Sequence, residues 1–225
     1  MKLSVSSACL GLPEPMLSEL MGSAAPYCVR AGDVLFEAGD TGDGCHRLDR
    51  GVLKVVLASP RGEERILAIL GSGAIVGDLA MIDGLPRSAS VFALTDCELR
   101  FISSADFHRC AERHPEMYRY LAAVLAKRLR ETDDTISALA FLSAKGRVAY
   151  ALLEIANSLG EETDSGGVFI PEMLSQKELA AMAGVARENA NRILMEWQRK
   201  NLVSIVSRSY RINDKTKLEK EMLWE

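Results

Sequence analysis

Between residues 30 and 100 the apolar residues come in short runs broken by glycine and aspartate. Val34-Leu35-Phe36, Val52–Leu57, Ile66–Leu70 and Ser90–Leu94 read as strands. Gly39-Asp40, Gly42-Asp43, Gly51, Arg61-Gly62 and Gly71-Ser72-Gly73 separate them. Short apolar runs at this spacing, with Gly/Asp turns between them, predict an all-β barrel or roll. Cys45–Asp49 is less regular and leaves open which way Arg47 faces, solvent or ligand. Ahead of the strands, Leu17, Leu20 and Met21 predict one apolar helix face, with Pro13 and Pro15 near its start.

From about Pro115 the period becomes helical. Tyr118, Leu125, Thr132 and Leu139 are seven apart, and Ala122, Leu129, Ile136 and Ser143 form a second series four residues on. Two such series make an a/d stripe, the mark of a helix that pairs with another; a long helix packed on its own domain is the plainer alternative. The candidate seam residues are Tyr118, Leu121, Leu125, Leu129, Thr132, Ile136 and Leu139. Arg147–Ser158 then reads as an amphipathic helix with Val148, Leu152, Leu153 and Ile155 inward. A polar turn at 160–167 and a short strand at Val168-Phe169-Ile170 follow.

The segment from Leu174 to Trp197 carries a denser signal. Ser175 with Glu178 three residues on makes a capping box that starts a helix. Ala183-Gly184-Val185 is a tight turn with glycine where positive φ is needed. A second helix follows with Ala190, Ile193, Leu194 and Trp197 on one face and Arg187, Glu188, Asn189 and Arg192 away from it. Two short helices joined by a glycine turn read as helix-turn-helix. Ile205-Val206, Ser207-Arg208-Ser209 and Tyr210–Ile212 then resemble a β-hairpin wing.

The chain has 225 residues, 48% hydrophobic and 26% charged, enough for two small domains with separate cores. No apolar run approaches the ~20 residues of a membrane helix, and no signal peptide is evident, so a cytoplasmic location is expected. Cys9, Cys28, Cys45, Cys97 and Cys110 form no C-x-x-C pair and predict no disulfide framework. Net charge is −4, yet Arg187–Lys220 holds nine Lys or Arg against four Asp or Glu, an excess of five. A local basic face matters more for nucleic-acid binding than the whole-chain balance.

Gly73–Ala89 reads GAIVGDLAMIDGLPRSA, with the makeup of a phosphate cradle. Gly77 precedes a short helix whose first amides lack helical partners. The turn at Asp83–Pro86 delivers Arg87 and Ser88, a guanidinium fork and a hydroxyl suited to phosphate oxygens. This stretch resembles the phosphate-binding cassette of the cyclic-nucleotide receptors in the CRP/FNR family of bacterial transcription regulators: Gly77, Leu79, Arg87, Ser88 and Ala89 match its pattern, and Asp78 stands in place of the usual glutamate. Gly32–Asp40 resembles the family's opening strands, Phe141–Arg147 its hinge, and Arg187, Glu188 and Arg192 the base-reading residues of its recognition helix. Ala186 stands where a serine cap is frequent, and Asn189 replaces a common threonine. The resemblance spans about Gly32 to Asn213.

It implies an α+β fold: an N-terminal β-roll (a double-stranded β-helix that binds cyclic nucleotides) over 1–114, a dimerisation helix over 115–142, and a C-terminal winged helix-turn-helix domain over 143–225. It implies cyclic AMP, or alternatively cyclic GMP, as effector. Arg87 and Ser88 would take the cyclic phosphate, with Gly77, Leu79 and Ala89 shaping the cassette. Asp78 would take the ribose, and Thr132 and Asp133 the base. Ser175, Gln176, Arg187, Glu188, Asn189, Arg192 and Arg208 would meet double-stranded DNA at a palindromic operator, with Arg211 also near phosphates. Partners would be a second copy of the chain and RNA polymerase. A hinge at Leu142–Gly146 would pass the nucleotide signal to the DNA-binding half. The rival readings are an effector-independent, gas- or redox-sensing regulator of this fold, with His46, His108 and His114 as weak haem candidates, and a regulatory subunit of an enzyme. No nucleophile–base constellation, metal-ligand cluster or P-loop supports catalysis, and no metal is expected.

Overall fold

The computed structural model describes residues 12–163, 167–171 and 174–222, so Cys9 and part of the predicted turn at 160–167 lie outside the described residues. The chain forms two compact units. Within the described residues one spans 12–57 and 68–131, and the other 58–67 and 132–222. The cut falls inside the long helix, between Glu131 and Thr132.

The first unit opens with α1 (Glu14–Ser23), which buries Met16 and Leu20. Then come β1 (Ala25–Val29), β2 (Val34–Phe36), β3 (Gly44–Arg50), β4 (Leu53–Ala58), β5 (Glu64–Leu70), β6 (Ile75–Val76) and α2 (Asp78–Asp83), with Ala58 of β4 and residues 64–67 of β5 falling in the second unit. It continues through β7 (Ser90–Ala93), β8 (Cys97–Ser103), α3 (Ser104–Arg113) and the start of α4 (Met117–Phe141). The strands form two four-stranded sheets in the orders β1-β8-β3-β6 and β2-β7-β4-β5. Leu35, Leu48, Leu53, Val91 and Leu99, drawn from both sheets, share one core. A second core gathers Met16, Leu20, Ile102, Phe107, Met117 and Leu121, where α1, α3 and α4 meet the roll.

The irregular stretch at Cys45–Asp49 is a full strand, β3, hydrogen-bonded to β8 on one side and β6 on the other. Its register shifts between Leu48 and Arg50, a bulge that breaks strict apolar alternation. Arg47 forms an ion pair with Asp49 within β3, and the other Asp49 oxygen accepts from Arg100 Nε of β8 at 2.6 Å.

In α4, the residues at Met117, Leu121 and Val124 face the roll's own core. Leu121, expected in the pairing seam, is therefore buried at home: positions 117, 121 and 124 follow the i, i+4, i+7 spacing of one helix face. Leu125 is partly buried against the same core. Of the rest of the stripe, Leu129 is 63% and Ile136 58% exposed, Tyr118 and Thr132 are also open, and Leu139 is half-buried.

In the second unit, α5 (Ala144–Leu159) buries Val148, Leu152, Leu153 and Ile155. It starts earlier than its periodicity suggested, because the Ser143 hydroxyl accepts from Gly146 N at 3.1 Å and caps it. Only Leu142 and Ser143 are left between the two helices, so Ala144–Gly146 of the expected hinge are helical. Next come β9 (Glu161–Glu162), β10 (Val168–Ile170), α6 (Gln176–Ala183), α7 (Arg187–Arg199), β11 (Val203–Val206), β12 (Ser209–Ile212) and α8 (Lys215–Lys220). The sheet order is β11-β12-β10-β9, and the β11–β12 hairpin turns at Ser207, whose φ is 55°. The capping box forms in full: Ser175 accepts from Glu178 N, and Glu178 accepts from Ser175 N. Gly184 ends α6 in the left-handed region at φ 61°.

Candidate nucleotide site and nucleic-acid interface

Gly77 leads into α2 with φ 83° and ψ 10°, a conformation open to glycine at little cost. The helix has six residues, so its dipole is a small part of any anion site. The positive charge comes from Arg87. Its backbone is pinned by Arg87 N to Asp40 O and Gly39 N to Arg87 O, both 2.8 Å. Its side chain is only 6% exposed. Nη1 donates to Gly77 O at 2.5 Å, and the guanidinium lies 4.3 Å over the Phe36 ring. A Cβ on Gly42 would stand 2.5 Å from the guanidinium carbon, and one on Gly77 would run into Nη1, so both glycines make room for the arginine. Ser88 and Leu79 are exposed and Ala89 is buried.

Asp78 is 2% exposed, and a carboxylate in that setting needs a cation. Arg128 of α4 supplies it: Nη1 reaches both carboxylate oxygens at 2.6 and 2.9 Å, while Nη2 donates to Ile75 O at 2.6 Å. Sequence reasoning did not find Arg128. A signal was present, since it lies one helical turn before Thr132 and next to the apolar core face of α4. Thr132 and Asp133 are exposed on α4, in the second unit.

On α7, Glu188, Asn191, Arg192, Met195 and Arg199 line an open groove of about 280 Å³. Glu188 and Arg192 were expected there. Asn191 was not, although the 188, 191, 192, 195, 199 spacing traces one helix face. Arg187 and Asn189 are exposed but stand off this groove. Ala186 caps α7 without a side-chain hydrogen bond. The opposite face buries Ala190, Ile193, Leu194 and Trp197. Glu196 accepts from Lys200 at 2.7 Å and Lys145 at 2.9 Å, and these two cations hold its carboxyl down at about 2. Lys145 also meets Glu221, which ties α5, α7 and the chain after α8 together. Gln176 and Ser175 are half-buried at the start of α6. On the wing, Arg208 pairs with Glu178 at 3.5 Å.

Burial pushes the thiols of Cys45, Cys97 and Cys110 up, Cys45 to about 12, which disfavours thiolate chemistry at all three. His114 meets Glu19 at 3.0 Å and His108 meets the Tyr118 hydroxyl at 3.5 Å, so both have protein partners. Among the described residues no group of three or more His, Cys, Asp or Glu could hold a metal ion, and no helix is long and apolar enough to cross a membrane.

Known proteins match both halves. The family model for the cyclic nucleotide-binding domain matches residues 28–114, and that for the Crp-like helix-turn-helix domain matches residues 146–221. The chain is 33% identical to the cyclic AMP receptor protein of Thermus thermophilus over 84% of its own length and 83% of the relative's. It is 30% identical to the cAMP-activated global transcriptional regulator CRP of Escherichia coli O6:H1, over 87% and 93%. A solved CRP/FNR-family transcriptional regulator, also from Thermus thermophilus, superposes with a TM-score of 0.73 at 26% identity, over 88% of this chain and 98% of that one. The protein belongs to the CRP/FNR family of transcription regulators. It is a DNA-binding regulator with a cyclic nucleotide-binding domain, and not an enzyme.

Replacing Arg128 with alanine leaves Asp78 buried without its cation. The first unit should lose about 2 kcal/mol or more, read by urea unfolding. Asp78→Asn, which removes the charge but keeps a hydrogen-bonding oxygen, should lose less.

Proposed function

We propose that this protein is a homodimeric transcription regulator gated by a cyclic nucleotide, with cyclic AMP preferred. The observation that carries the reading is the pairing, within one cassette, of a socketed arginine with a buried carboxylate. Arg87 offers a fork to a cyclic phosphate, and Asp78 offers an acceptor to a ribose hydroxyl. A ligand shifts an equilibrium only through different affinity for two states. Here the ribose would compete with Arg128 for Asp78, so the ligand would act on α4 directly. That helix carries the exposed stripe and is followed, after two residues, by the capped start of α5. The signal would then present both recognition helices to successive major grooves, ~34 Å apart.

The Thr132 hydroxyl can accept from the adenine amino group. Asp133 can accept two donors from a guanine edge or one from adenine, which makes cyclic GMP the runner-up. Relatives named as a cyclic AMP receptor and as a cAMP-activated regulator favour adenine. A second reading, a regulator that acts without effector, draws on one observation: Asp78 is already paired with Arg128, and Arg87 Nη1 already donates to Gly77 O. RNA polymerase is the expected partner on the promoter, and the cytoplasm the expected location.

Gel shift on a selected operator separates these readings: binding should rise with cyclic AMP, and nucleotide-independent binding favours the second. By calorimetry, Arg87→Ala should lower nucleotide affinity at least about tenfold, an arginine–phosphate pair being worth roughly 2–5 kcal/mol when desolvated. A tenfold preference for cyclic GMP in competitive titration would overturn the choice of base.

The stripe on α4 predicts a dimer in solution without DNA. Leu129→Glu with Ile136→Glu places like charges in the seam and should give monomer by light scattering. A monomeric wild type at micromolar concentration would sink the dimer.

On DNA, Arg192 stands in the α7 groove, where a guanidinium can hold guanine O6 and N7 together. Arg192→Ala should cost about 1–3 kcal/mol per half-site and relax preference at one base pair. Arg208→Ala, on the wing, should weaken all sequences alike and lower the salt slope by about one. Operator selection at two salt concentrations reads both; a motif altered by Arg208→Ala but not Arg192→Ala reverses the assignment.

A further inference from the structure

The nucleotide cassette has a buried histidine behind it that neither the fold nor the ligand contacts above explain. His46 sits on β3 between Val76 of β6 and Phe101 of β8. It is 7% exposed, and its ring is walled by three aromatics: Phe101 at 5.0 Å, Tyr27 at 5.3 Å and Phe36 at 6.3 Å between centroids. Phe36 is the ring that carries the Arg87 guanidinium at 4.3 Å. His46 Nδ1 and Arg87 Nε are both buried with no hydrogen-bond partner among the described residues.

We infer that His46 is a positioning residue of the nucleotide site: its ring wedges Phe36 in place, and Phe36 holds the Arg87 guanidinium where a cyclic phosphate meets it. This rests on the reading of Arg87 as the phosphate ligand. The wedge works as an uncharged ring, because an imidazolium there would set a second cation beside Arg87. The charged and titratable groups that face it are Arg87, Asp43 and Tyr27. Burial first, and Arg87 second, push the imidazole down from 6.5 to about 4, against the pull of Asp43, so it is neutral at physiological pH.

The test is calorimetric titration of the full-length protein with cyclic AMP at pH 7.5. His46→Ala opens space beside Phe36 and should lower affinity about tenfold, while His46→Phe keeps the wedge and should stay within about twofold of wild type. In an Arg87→Ala background, His46→Ala should have almost no further effect, because its influence runs through that arginine. A purely structural histidine would lower affinity equally in both backgrounds, and that result, or unchanged affinity in folded His46→Ala, overturns the inference. If Arg87→Ala is itself without effect, the nucleotide-site reading falls and takes this inference with it. If Arg87→Ala acts and His46→Ala does not, only the inference falls. Stability against pH adds an independent readout. Between pH 6.5 and about 4 the unfolded chain takes up a proton that folded His46 does not, so wild-type stability drops as pH falls through that window. His46→Phe should remove this drop; an unchanged slope would mean that His46 is not the neutral wedge.

Discussion

A carboxylate shut away from water stays charged only if a cation is delivered to it, and in this protein that cation comes from a different element. Asp78 begins α2, and Arg128 comes from α4, 50 residues further along the chain. The pair does three things at once. It neutralises Asp78, it satisfies the carbonyl of Ile75 before the left-handed glycine, and it fixes the first half of α4 to the roll. Breaking such a pair costs more than it is worth intact, because the charge left behind has nowhere to go. A hydroxyl that competed for Asp78 would therefore be felt by α4 at once.

The second unit solves a different problem, holding a polar helix face outward with little of its own surface to anchor it. Trp197, Ile193 and Leu194 supply the apolar anchor of α7. The polar anchor is Glu196, fixed from two sides by Lys145 and Lys200. With those in place, Glu188, Asn191, Arg192 and Arg199 need make no contact with the core and line the groove. Arg208 is held on the wing by Glu178, the same carboxylate that completes the cap of α6. The cap of α6 and the wing thus share one carboxylate, whose loss would be felt at both.

What the sequence by itself determined is local: each signal lies within a few residues of its partner. The Ser175–Glu178 box spans three positions, Gly184 and Gly77 are needed where the backbone turns left-handed, and the apolar face of α7 repeats within one helix. The left-handed turn and short helix that open at Gly77 were legible because Gly77–Asp83 is contiguous. The short strands between Gly/Asp turns were legible for the same reason. What only the tertiary structure decided depends on distant partners. β8 was not foreseen because its alternation fades after Leu99, with Arg100 and Phe101 both half-buried, and it becomes a strand through pairing with β1 and β3. Leu121 and Leu129 are both leucines on one stripe, yet one faces the roll's core and the other is exposed, since the roll covers only one side of α4. Arg128 reads as one more charged helix residue until the fold brings Asp78 to it. His46 reads as a stray polar residue until Tyr27, Phe36 and Phe101 close around it. Local spacing writes caps and turns into the chain; burial and charge pairing across tens of residues exist only once the chain has folded.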